Sequence, residues 1–107
     1  LGELLFIYKT LKEAGHPAPH WTVNHGNSTS FYYRDPDANE VETMLDNFSA
    51  IDTQDYKRFY QFTEDFGEMA EGNFDPDKML ALYEAGEPDS ILLDREQVRR
   101  MAREGVL

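Results

Sequence analysis

The chain has no cysteine among its 107 residues. Disulfides, thiolate zinc sites and a cysteine nucleophile are therefore excluded. Basic residues are scarce, 10 Lys and Arg against 21 Asp and Glu, for a formal charge of −11. Such a surface repels phosphate backbones, and a basic membrane-binding face is missing, so neither nucleic acid nor a membrane is expected as partner. No apolar run nears the roughly 20 residues that a membrane helix needs. Histidine is limited to His16, His20 and His25, and tryptophan to Trp21. A cytoplasmic location is expected.

What remains is an ordinary globular composition, 40% hydrophobic and 29% charged. That suits one modest core. The sequence opens on Leu1, with Leu4, Leu5, Phe6 and Ile7 close behind. This reads as a helix already under way, and a piece of something longer is expected. Leu4, Leu5, Tyr8 and Leu11 recur at helical spacing and predict a helix over 2–14, stopped by Gly15 and Pro17.

Residues 19–25 predict a strand with Trp21, Val23 and His25 on one face and His20, Thr22 and Asn24 on the other. Gly26-Asn27 is a turn signal. Strands over 29–34 and 40–46 flank the turn Asp35-Pro36-Asp37-Ala38-Asn39. Three helical segments are then expected. Asp52 opens one bearing Tyr56, Phe59, Tyr60 and Phe66. Asp75-Pro76 opens the next, with Met79, Leu80 and Tyr83 inward and Gly86 at its end. Asp94 with Gln97 resembles a capping box before Val98, Met101 and Ala102. The fold class is α+β, with a boundary near residue 48: helix and three-stranded antiparallel meander over 1–48, helical C-terminal extension over 49–107.

A turn centred on Asp37 sets a register. Arg34 faces Glu40, Tyr32 faces Glu42, and Ser30 faces Met44. Tyr32 and Glu42 would then lie about 5 Å apart at Cβ. A carboxylate there suits a divalent ion, a phenol beside it can donate to a substrate oxygen, and His25 can shuttle a proton. Each residue also has a plainer reading. Glu42 can simply face water, Tyr32 can be a core aromatic with a wet hydroxyl, and His25 can be a turn residue.

The stretch His25-Gly26 through Ser30-Phe31-Tyr32-Tyr33 to Asp35-Pro36-Asp37-Ala38-Asn39-Glu40-Val41-Glu42 resembles a hairpin motif of the vicinal oxygen chelate superfamily. That superfamily includes extradiol ring-cleavage dioxygenases, glyoxalase I and bleomycin-resistance proteins. The trailing Asp46-Asn47-Phe48 looks most like the extradiol branch. The resemblance implies a βαβββ module, here without its first strand. It implies Glu42 as the carboxylate of a two-His, one-carboxylate site for Fe(II) or Mn(II), with Tyr32 and His25 near the substrate oxygens. A catechol-like substrate follows from it.

The remaining metal ligands would come from elsewhere, so the chain alone is expected to hold no metal and to be inactive. A binder of the bleomycin-resistance type and a glyoxalase-like isomerase are the alternatives. Two departures carry expectations of their own. Ala38 stands where the family has Gly, at a cost on the order of 1 kcal/mol if φ is positive there. The missing strand leaves a sheet edge open, so either self-association into a homo-oligomer or cover from the C-terminal helices is expected.

Overall fold

The computed structural model describes residues 1–49 and 73–107. The first element is helix α1, Gly2–Glu13. Its apolar stripe turns Leu4, Leu5 and Tyr8 inward, while Phe6, off the stripe, is 70% exposed. Gly15 at φ +82° turns the chain out of the helix. There the amides of Gly15 and His16 donate to the carbonyls of Lys12 and Leu11.

Three strands follow, β1 (Trp21–Asn24), β2 (Ser28–Arg34) and β3 (Glu40–Asp46). They form an antiparallel meander in the order β1-β2-β3. The expected register is the observed one: Arg34 opposite Glu40, Tyr32 opposite Glu42, Ser30 opposite Met44. The β2–β3 turn is built by Asp35. Its Oδ1 accepts from the amides of Asp37 and Asn39, at 3.0 and 2.7 Å. These donors, with the Asn39 side chain, hold its carboxyl below the usual carboxylate range. Ala38 sits at φ +65°, a region that suits glycine better.

β1 is shorter than the expected 19–25, and this moves one side chain. His20 lies before the strand begins, so strict alternation does not govern it. Its Nε2 lies 3.0 Å from Oε1 of Glu40, and its ring is 6.3 Å from that of Tyr32. The expectation that His20 points away from His25 is therefore corrected, since both rings flank Tyr32.

Beyond residue 72 come α2 (Pro76–Glu84), α3 (Asp89–Leu92) and α4 (Arg95–Arg103). Asp75 caps α2 by accepting from the amides of Asp77 and Lys78. Asp94 caps α4 in the same way through Glu96 and Gln97. The capping box is only half made, because the Gln97 side chain accepts from Arg100. The short α3 was not expected. The helix expected after Asp52, with its four aromatics, lies outside the described residues.

One apolar cluster unites these parts. Leu4, Leu5 and Tyr8 of α1 meet Phe31 and Tyr33 of β2, with Phe74, Met79, Leu92, Val98 and Met101 completing it. Phe31 packs against the rings of both Tyr8 and Phe74, at 5.6 and 5.7 Å. Burial on this scale is the main force holding helices to sheet. The two sheet edges differ. Along β1, Asn73 bridges to Val23, and the Phe74 amide donates to the Thr22 carbonyl. Among the described residues no strand pairs with the outer edge of β3. That edge strand carries Glu40, Glu42 and Asp46, charges that discourage further pairing.

Candidate functional site

The pleat lines up one residue from each strand. Trp21 opposes Tyr32, and Tyr32 opposes Glu42, so all three project from one face in a single row. The Trp21 and Tyr32 rings stack, with centroids 4.7 Å apart and planes at 17°. His25 stands edge-on to both, at 5.6 Å from Trp21 and 6.3 Å from Tyr32. Its Nε2 is 3.1 Å from the Tyr32 hydroxyl. Ser30, one pleat along β2, donates its hydroxyl to Oε1 of Glu42 at 2.8 Å.

The electrostatics follow from this crowding. Half-burial holds the His25 imidazole below its ordinary value. Glu42 pulls it back up, and the positive charge of Arg95 pushes it further down. Burial raises the Tyr32 phenol, and the neighbouring Glu42 carboxylate raises it further. A phenol both donates and accepts, so the His25–Tyr32 contact serves either imidazole tautomer. Tyr32 thus lies between the His25 imidazole and its cross-strand partner Glu42, and the Ser30 hydroxyl holds the carboxylate.

His25, Tyr32 and Glu42 are thus brought together as the sequence suggested. Glu42 is exposed on the edge strand. Two members of the cluster escaped the sequence reading. Trp21 was placed on the right face, yet alternation does not reveal that its ring would cover Tyr32. Ser30 was placed opposite Met44, and its diagonal reach to Glu42 needs side-chain coordinates to be seen.

A cavity of about 590 Å³ lies beyond the end of the sheet, lined by Gly26, Asn47, Phe48, Leu93, Arg95 and Arg99 among others. It adjoins the His25 loop and does not include Tyr32 or Glu42. Among the described residues no three His, Cys, Asp or Glu side chains cluster as a metal-binding group. They do not by themselves fit a three-ligand iron centre. No helix among the described residues is long and apolar enough to cross a membrane.

The sequence has clear relatives. It is 37% identical over 110 residues to biphenyl-2,3-diol 1,2-dioxygenase 3 of Rhodococcus globerulus. It is 40% identical over 89 residues to biphenyl-2,3-diol 1,2-dioxygenase 2 of the same organism. The chain is a homologue of the extradiol dioxygenases of the vicinal oxygen chelate superfamily. The two matches take in 96% and 82% of this chain, and 56% and 45% of the relatives. This extradiol dioxygenase homologue therefore spans about half the length of the curated relatives it matches. No protein-family model matches it, and no solved structure does.

Proposed function

We propose that the chain is part of an extradiol ring-cleavage dioxygenase acting on a catechol-like diol. The observation that carries this reading is the row Trp21–Tyr32–Glu42 with His25 bonded to the phenol. Trp21 and Tyr32 offer a flat aromatic surface for a planar ring. His25, kept neutral by burial, can take a proton from a diol hydroxyl as the diol binds. The Tyr32 phenol, with its raised pKa, stays protonated near neutral pH and can hold a substrate oxygen by a hydrogen bond. Glu42 would be one ligand of an Fe(II) or Mn(II) ion, which when bound supplies the open positions where a diol and dioxygen meet. The other ligands would come from outside the described residues, and catalysis by this chain alone is not part of the proposal.

The test is a titration of the labelled protein with Mn(II), read by paramagnetic broadening in NMR spectra. Broadening centred on Glu42, Ser30 and Tyr32 supports the reading. Broadening spread evenly over the acidic surface, Glu84, Asp89 and Glu104 included, overturns the assignment of Glu42.

A second reading, metal-free binding of a small aromatic molecule, is favoured by the Trp21–Tyr32 stack, which needs no ion. Ligand binding that survives Glu42→Ala unchanged in the absence of metal selects it. Self-association would use β3, whose outer edge carries no strand among the described residues.

A further inference from the structure

The loop that carries His25 is held by two side-chain amides, those of Asn24 and Asn47. Asn24 is fully buried, and its amide makes three bonds. Its Oδ1 accepts from the Gly26 amide at 2.8 Å and from Nδ2 of Asn47 at 3.0 Å. Its Nδ2 donates to the carbonyl of Leu93, the C-cap just past α3, at 2.9 Å. Asn47, just past β3, also donates to the Gly26 carbonyl at 2.9 Å. The orientation of that amide is fixed in turn by Thr29, whose hydroxyl donates to Asn47 Oδ1 at 2.7 Å. Gly26 lies at φ +98°, buried, with both its amide and its carbonyl taken by these side chains.

We propose that Asn24 and Asn47 are positioning residues that lock the His25–Gly26 turn, so that the imidazole meets the Tyr32 hydroxyl, with the carbonyl end of α3 as the clasp's third anchor. Neither residue touches the Tyr32–Glu42 row. Each fixes the backbone one or two residues from the imidazole, as outer-shell groups do for the side chains that perform chemistry. The same bonds give the C-terminal helices a task, because the Leu93 carbonyl ties α3 and the start of α4 to the turn. Arg95, the first residue of α4, is the source of positive charge felt by His25. A buried amide with its oxygen and nitrogen both committed has one rotamer and passes that order to the loop it holds.

The inference rests on the reading of His25 as a proton-handling group, but its test reads the position of the ring and not turnover. The two can therefore fail separately. The His25 ring protons lie within the ring currents of Trp21 and Tyr32, so their NMR shifts report the edge-on packing. In Asn47→Ala those shifts are expected to lose most of their displacement from free-histidine values, while methyl signals of Leu5 and Val98 in the core stay in place. His25 signals that do not move in a folded Asn47→Ala chain overturn the proposal. If that variant does not fold, Thr29→Val serves, since it keeps Asn47 and removes only the bond that orients it. A partial shift at His25 is expected there, and no shift overturns the proposal.

Discussion

Ser30 and Glu42 are joined diagonally across the β2–β3 pair, hydroxyl to carboxylate oxygen at 2.8 Å, although Ser30 directly opposes Met44. Ser30 is fully buried and Glu42 exposed, so the bond joins a fixed donor to a carboxylate that water also reaches. Its net worth is accordingly near the ordinary value for a hydrogen bond, about 1 kcal/mol. Ser30→Ala is expected to lower stability by about that amount in urea unfolding. A double-mutant cycle with Glu42→Ala should return a coupling of about 0.5–1 kcal/mol. A coupling indistinguishable from zero would mean that Ser30 does not orient the carboxylate.

Ala38 gives the second prediction. It is the only non-glycine at positive φ among the described residues, at +65°. A Cβ in that conformation is strained by roughly 1–2 kcal/mol. Glycine would relieve this but adds about 0.4–1 kcal/mol of unfolded-state freedom. Ala38→Gly is expected to stabilise the protein by a net of up to about 1 kcal/mol, read as a higher thermal midpoint. The bonds that Asp35 makes to the turn amides are unaffected by the change. A lower midpoint would show that the turn is not held in the left-handed region.

His25 gives the third. Its imidazole is held below the ordinary value of 6.5, first by burial. The folded state therefore resists protonation more than the unfolded chain does. Between the folded pKa and 6.5 the unfolded chain binds more protons, so stability rises with pH there. The contribution is complete above about 6.5 and is lost as pH falls toward the folded value. Trp21, the single tryptophan, reports on this directly because His25 stands edge-on to it. A charged imidazole quenches a neighbouring indole. Emission is expected to fall on acidification with a midpoint below 6.5, to lose that step in His25→Gln, and to keep it in His20→Gln. A step that vanishes only in His20→Gln would assign the quenching to the imidazole beside Glu40.

The register of the sheet could be read before any coordinates because one turn fixes it. With Asp37 at the centre, every pair from Arg34–Glu40 to Ser30–Met44 follows by counting, and period-two alternation then places Tyr32 and Glu42 on one face. The helix starts were legible for a similar reason. Asp75 and Asp94 are caps, and caps are local chemistry. What escaped is whatever depends on residues distant in sequence. The face of His20 was misjudged because alternation was extended past the true start of β1. The short α3 has no periodic stripe to announce it. The link from Asn24 to Leu93 spans 69 positions, and no local pattern signals a bond of that span. The exposure of Glu42 follows from its place on the outermost strand of the meander.

Met79 supplies the last prediction, about whether the helices past residue 72 fold with the sheet. Its side chain is fully buried in the cluster that also holds Leu5 of α1, Phe31 of β2 and Val98 of α4. Met79→Ala removes buried atoms and leaves a cavity, at a cost of about 2–5 kcal/mol. That is a large part of the roughly 5–15 kcal/mol that a domain commonly has. Trp21 sits on the opposite face of the sheet, so its fluorescence has no direct view of the lost methionine. If one core serves both regions, the Trp21 signal and the far-ultraviolet helix signal shift together to lower urea in Met79→Ala, and their midpoints coincide. Should the helical signal move while the Trp21 transition stays where it was, the C-terminal helices would be a separately folding unit. Their bond to Asn24 could not then be a rigid part of the His25 clasp.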